Sequence, residues 1–165
     1  MPSPKRIYQI LTALFFVASA FASETEILML SGTGSDDTVD WEFKVNGGRN
    51  SGQWSTIPVP SNWEMQGFGT YRYWDDWNEN PAPDSLGQYR HTFTPPDNWK
   101  DKSIQIVIGA SMTDTEVRIN GVSAGPVHQG GFYEFSYDIT QLLKLGEENL
   151  LEVDVRKYSN NKSVN

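Results

Sequence analysis

Residues 151–156 read Leu151-Glu152-Val153-Asp154-Val155-Arg156, with an aliphatic side chain at every odd position and a charged one at every even position. Successive side chains of a β-strand point to opposite faces, so this stretch describes a strand with one apolar and one wetted side. The same period recurs upstream. Ile104, Ile106 and Ile108 alternate with Gln105 and Val107, Val117 and Ile119 with Glu116 and Arg118, and Tyr89, His91 and Phe93 form another set. Phe132 to Tyr137 is aromatic on both faces. Asn120-Gly121, between Val117–Ile119 and Val122, is a two-residue hairpin signal, because both central positions of the tight turn require positive φ. Asn46-Gly47-Gly48, Pro58-Val59-Pro60, Pro95-Pro96-Asp97 and Gly130-Gly131 mark further breaks. Only Ile139 to Leu145 reads as a helix, barely two turns long, with Asp138 or Thr140 as its cap and Gly146 as its stop. Many short strands with regular turns predict an all-β fold, an antiparallel β-sandwich or jelly roll.

The first residues read as an export leader. Lys5 and Arg6 form a positive start, Ile7 to Ala18 is mostly apolar, and Ala20-Phe21-Ala22 supplies the small-x-small pattern of a cleavage site. The apolar run falls short of the roughly 20 residues of a membrane span, so a cleaved signal peptide over 1–22 is expected rather than an uncleaved anchor. Residues 23–165 are then expected to form one β-sandwich domain. No second apolar run of that length follows, so no membrane association is expected after cleavage. The sequence contains no cysteine, which excludes disulfides and a lipidated N-terminal cysteine. These features suit a bacterial protein that is periplasmic or secreted. The formal charge is −8, and loss of Lys5 and Arg6 makes the mature part more acidic still. An acidic surface repels phosphate backbones and anionic lipid, so neutral partners are favoured over nucleic acid.

One long stretch, residues 67–87, does not alternate: GFGTYRYWDDWNENPAPDSLG. Long connections in compact domains tend to be functional or disordered, and the aromatic content here argues against simple disorder. Tyr71, Arg72, Tyr73, Trp74, Asp75, Asp76, Trp77 and Asn78 combine flat rings with hydrogen-bonding groups. Rings stack on the C–H faces of sugars, and Asp, Asn and Arg bond their hydroxyls. Carbohydrate contact, an interface with a neighbouring domain and plain surface are the three readings of this loop. His91 and His128 are the only histidines and lack an adjoining acidic cluster, so no metal site is expected. No cofactor is implied.

Several segments, taken in order, resemble the N-terminal sugar-binding domain of glycoside hydrolase family 2, which includes β-galactosidases, β-glucuronidases and β-mannosidases. They are Trp41-Glu42-Phe43, the run Ile57-Pro58-Val59-Pro60-Ser61-Asn62-Trp63-Glu64, Gly67 and Tyr71, and Gly87-Gln88-Tyr89-Arg90 with Phe93, Pro96 and Trp99. Gly109, Val117, Ile119-Asn120-Gly121, Gly125 and Phe132 follow, then Phe135, Asp138-Ile139-Thr140 and Gly146 to Val155. The run around Trp63 is the most specific of these. The resemblance covers nearly all of the mature chain and implies a galactose-binding-domain-like sandwich. Trp63, Tyr89, Phe93, Phe132 and Phe135 read as core residues, Asn120 as a turn residue and Asp138 as a cap.

The resemblance also implies where the chemistry lies. Retaining glycosidases place two carboxyls about 5 Å apart across the scissile bond. In the family both come from a separate barrel domain that follows this region, and such a barrel needs roughly 200 residues or more. Asn78-Glu79 copies the family's acid/base pair but sits in a polar, aromatic loop, so Glu79 reads as a solvated carboxylate. In some members the loop after the tyrosine reaches the sugar through an asparagine two places on, and here that place is Tyr73. The expectation is therefore a non-catalytic carbohydrate-binding module able to dock on a catalytic barrel, with Tyr71, Arg72, Tyr73, Trp74, Asp75, Trp77 and Asn78 as candidate ligand contacts. A stand-alone carbohydrate-binding protein, or an interaction domain without a sugar ligand, is the alternative. The stretch from Tyr158 to Asn165 reads as a loop, and the family resemblance implies that a last strand is lacking after it.

Overall fold

The computed structural model describes residues 25–71, 86–159, 161 and 163. The leader, and the loop contacts Arg72, Tyr73, Trp74, Asp75, Asp76, Trp77 and Asn78 together with Glu79, lie outside the described residues. Nine strands run in chain order among those that are described. They are β1 (Val39–Val45), β2 (Ser55–Val59), β3 (Leu86–Phe93), β4 (Gln105–Ile108), β5 (Asp114–Ile119), β6 (Val122–Ser123), β7 (His128–Gln129), β8 (Phe135–Asp138) and β9 (Asn149–Arg156).

The alternation decides how they stack. The main antiparallel sheet has the order β2-β1-β3-β9-β5-β6, with β7 also on the free edge of β5; β4 and β8 form a second, two-stranded sheet. Across the main sheet Phe43 faces Tyr89, Tyr89 faces Val153 and Val153 faces Val117. This row points inward, together with Trp41, Val45, Ile57, Leu151, Val155 and Ile119. Phe43 is completely buried, and side chains of this kind each contribute roughly 1.5–3 kcal/mol on burial. The neighbouring residues form the outward row, where Glu42 opposes Arg90, Arg90 opposes Glu152 and Glu152 opposes Arg118. Charge sign thus alternates over four adjacent strands, as cross-strand pairing favours. Trp54 lies under the Arg90 guanidinium, 4.0 Å from ring centre to carbon.

Two strands are too narrow to cover this inner face alone. Ile104, Ile106, Phe135 and Tyr137 cover part of it. The segment after β2 crosses the rest, seating Trp63 and Phe68 on Phe43 at centroid distances of 5.7 and 5.0 Å. Trp63 is therefore buried, as the sequence predicts. Its neighbours are Phe43, Tyr89 and the bare backbone of Gly87, where a Cβ would come within 2.3 Å of the indole. The N-terminal segment closes a further corner, with Leu30 accepting a hydrogen bond from the Trp41 indole at 2.8 Å.

Asn120 and Gly121 adopt φ of 53° and 80° and turn β5 into β6 as expected. Three expectations are corrected. The helix drawn over 139–145 is only a 3-10 turn, Thr140–Leu142: Leu143 is already extended and the Lys144 N–H is taken by the Asn149 side chain, while Asp138 caps the start of the turn by accepting the Thr140 N–H and hydroxyl. The Pro58-Val59-Pro60 break begins inside β2, where Pro58 is tolerated because β2 is an edge strand. Phe132 is not core: it is 88% exposed and precedes β8.

Candidate functional site

The antiparallel register gathers loops at two poles. At one pole Val45 pairs with Gly87, Leu86 with Arg156, and Asp114 with both Arg156 and Gln129. The end of β1, the start of β3, the end of β9, the start of β5 and the end of β7 therefore meet there, and we call it the loop pole. The Asn120-Gly121 turn and the Phe93–Asn149 pair mark the opposite, hairpin pole.

Both described roots of the 72–85 stretch are fixed at the loop pole. Leu86 exchanges two hydrogen bonds with Asn46: its N–H donates to the side-chain oxygen at 2.9 Å, and its carbonyl accepts the Asn46 N–H at 3.1 Å. On the other side the Lys157 ammonium donates to the Thr70 carbonyl at 2.9 Å and pairs with the Glu64 carboxylate. Both partners of that ion pair are largely buried. The Tyr89 phenol is pushed well above its ordinary pKa, by burial first and by the Glu64 charge second. Tyr71 follows Thr70 and is 55% exposed, so the one candidate contact that is described lies on the surface of this pole.

The same pole carries a feature the sequence did not identify. Tyr133 donates its hydroxyl to the Gln129 carbonyl at 2.8 Å, closing the loop between β7 and β8. A Cβ on Gly130 would lie 2.4 Å from that hydroxyl, and one on Gly131 would lie 2.5 Å from Met112 Cγ. His128 stacks on Phe135 at 3.8 Å and meets Tyr133 edge-on at 5.2 Å. With these contacts the loop holds Phe132 outward beside exposed Met112 and Tyr133. The signal for this was Gly130-Gly131, which ends regular structure just before Phe132.

A cleft of about 530 Å³ lies at the hairpin pole among Asp101, Lys102, Ser123, Asp138, Thr140 and Gln141. Two of its three charged groups are already engaged. Thr140 holds Asp138 below its ordinary pKa through its hydroxyl and N–H, and Lys102 pairs with Glu26. No group of three or more His, Asp or Glu suited to a metal ion occurs among the described residues. The loop pole is therefore the candidate site.

Residues 41–165 match the family model for glycosyl hydrolases family 2, sugar binding domain. The chain belongs to this family. The family 2 domain is 33% identical over 135 residues to a β-galactosidase of Bacteroides ovatus, covering 73% of this chain and 15% of that protein. It is 30% identical over 125 residues to a β-glucuronidase of Formosa agariphila, covering 71% and 13%. The chain thus spans about a seventh of the length of these curated relatives. Among solved structures, a β-D-glucuronidase of Dictyoglomus thermophilum superposes with a TM-score of 0.57 at 24% identity, covering 83% of this chain and 21% of that one. That likeness establishes the sandwich architecture. In the family 2 domain the segment from Ser61 to Gly69 is structural: Asn62 caps its turn by accepting the Glu64 and Met65 N–H groups, and Trp63 enters the core.

Proposed function

We propose that this chain is a non-catalytic, exported carbohydrate-binding module of a family 2 glycosidase, and that it grips neutral glycans at the loop pole. The match of residues 41–165 to a sugar-binding domain carries this reading. In it, Tyr71, Tyr73, Trp74 and Trp77 stack on sugar faces, while Arg72, Asp75 and Asn78 bond hydroxyls. The net charge of −8 favours neutral over polyanionic glycans. Affinity electrophoresis of the purified chain on neutral plant and algal polysaccharides tests it. The expected result is retardation that is lost in Tyr71→Ala, Trp74→Ala and Trp77→Ala. Unchanged mobility on every polysaccharide, or hydrolysis of an aryl glycoside by the pure chain, would sink the reading.

A further inference from the structure

The sequence contains two Asn-Gly pairs, Asn46-Gly47 and Asn120-Gly121. Asparagine is chemically labile, and most so before glycine, whose backbone nitrogen has no neighbouring Cβ to shield it. That nitrogen can attack the side-chain carbonyl carbon of the asparagine. To be attacked, the side chain must leave its hydrogen bonds and swing over its own backbone. The fold treats the two pairs differently. The Asn120 amide donates to the Leu142 carbonyl at 3.0 Å and to the Asn149 oxygen at 2.9 Å, while its oxygen accepts the Leu150 N–H at 3.0 Å. Asn46 is exposed, and among the described residues its side chain makes one bond, accepted from the Leu86 N–H at 2.9 Å. Gly47 is buried, yet its N–H donates to no acceptor among the described residues, so no bond holds it back from the attack.

We propose that Asn46-Gly47 is a self-modification site, deamidating at a rate the folded chain denies to Asn120-Gly121, and that its conversion to isoaspartate releases the Leu86 root of the loop pole. Water or hydroxide takes the Gly47 amide proton, and the nitrogen attacks Asn46 Cγ. An N–C bond forms, the Cγ–Nδ2 bond breaks, and the amide nitrogen leaves as ammonia with a proton returned by water. Water then opens the cyclic imide. Opening at Cγ gives an aspartate. Opening at the main-chain carbonyl gives an isoaspartate, whose backbone runs through the former side chain with one extra methylene. Either product places a new negative charge beside Leu86. In the isoaspartate, the oxygen that accepted the Leu86 N–H belongs to the main chain and must follow it into Gly48. That turn is fixed, since Gly48 has φ of 74° and Arg49 and Gly69 exchange hydrogen bonds at 3.0 and 2.9 Å. The oxygen therefore leaves Leu86, and the two bonds that tie Asn46 to this root no longer form together.

The test holds the purified full chain at mildly alkaline pH, with a parallel sample in concentrated urea, and follows both Asn-Gly peptides by mass spectrometry. Asn120 has two more hydrogen bonds to break than Asn46, so in the folded chain Asn46 should deamidate faster by about tenfold or more. In urea the difference should vanish, because the reacting dipeptide is the same. Equal rates in the folded chain, or a faster Asn120, overturn the proposal. So does a difference that survives in urea, which would assign it to local sequence instead of the fold. Hydrogen exchange reads the second half. The Leu86 amide of the isoaspartyl chain should exchange about fivefold faster than that of the fresh chain, whereas Asn46→Asp, which keeps the accepting oxygen, should leave it slow. Unchanged Leu86 exchange in the isoaspartyl chain overturns the release of the root. Neither readout involves a glycan, so these outcomes are separate from the carbohydrate-binding reading.

Discussion

At the scale of single residues, two asparagines do most to join the hairpin pole. The Asn149 side chain is almost fully buried; its oxygen accepts the Lys144 N–H and its amide donates to the Lys144 and Glu147 carbonyls, all at 2.8 Å. Asn120 donates to the Asn149 oxygen at 2.9 Å and accepts the Leu150 N–H at 3.0 Å. Removing Asn149 leaves several backbone groups without partners in a dry site, at a cost of about 1–3 kcal/mol. Urea denaturation of Asn149→Ala should show a loss in that range, and a loss within error of zero would contradict the network. Asn120 was readable from the sequence because Asn-Gly carries its own backbone requirement. Asn149 was not, since nothing local distinguishes a buried amide from one facing water. Phe132 was misplaced for a related reason: an aromatic residue close to a strand has the composition of core, and only the two glycines before it mark the end of regular structure.

At the scale of elements, the period-two pattern placed β4, β5 and β9 well, because each alternates over a half-buried sheet. Two expectations failed where tertiary position outweighs local composition. Proline breaks a central strand but not an edge strand, and the helical run ends after Leu142 because the distant Asn149 side chain takes the Lys144 N–H. Sequence alone also gave no hint that Gly87 inside β3 is a packing requirement. Its missing side chain makes the slot that Trp63 and Phe43 occupy, with a Cβ at Gly87 falling 2.3 Å from one ring and 2.9 Å from the other. Gly87→Ala should force these rings off their positions and destabilise the domain by about 1–3 kcal/mol, as overpacking does elsewhere. Gly109→Ala, with open space around the same point, is the matched control. Equal melting temperatures for the two variants would refute the slot.

At the scale of the whole molecule, several titrating groups bias stability in one direction. Glu26, Asp37 and Asp138 are all held below their ordinary pKa, by hydrogen bonds to Lys102, Thr33 and Thr140 respectively. Each favours the fold fully above the ordinary carboxylate range and loses its contribution as pH falls through the lowered folded value. His91, stacked on Trp41 at 4.9 Å, is also lowered, by desolvation. Below its ordinary value of 6.5 the unfolded chain takes up the proton more readily, so acid again works against the fold. Melting temperature should therefore decline in two stages, first below about pH 6.5 and then below about pH 4.5. His91→Gln should flatten the first stage and Asp138→Asn should shrink the second. A wild-type profile level from pH 8 to pH 5 would remove the histidine from this account. As for the site, the aromatic loop advertised itself by composition, and Tyr71 does lie on the exposed rim. That Phe132 and Met112 share its pole depends on strand register between distant segments, which no local pattern encodes.

The segments before β1 and after β9 are tied down at opposite poles. Glu26 is held near Trp99 and Lys102 at the hairpin end, through a 2.8 Å bond from the Trp99 indole and the pair with Lys102, whereas Ser159 and Asn161 lie against Gln129 at the loop end. A handle joined just ahead of Glu26 therefore sits a full strand length from exposed Tyr71 and Phe132. Coupled to a biosensor chip through that handle, the molecule would present its rings to the flowing analyte. Coupled through a side chain near Ser159, it would press them against the matrix.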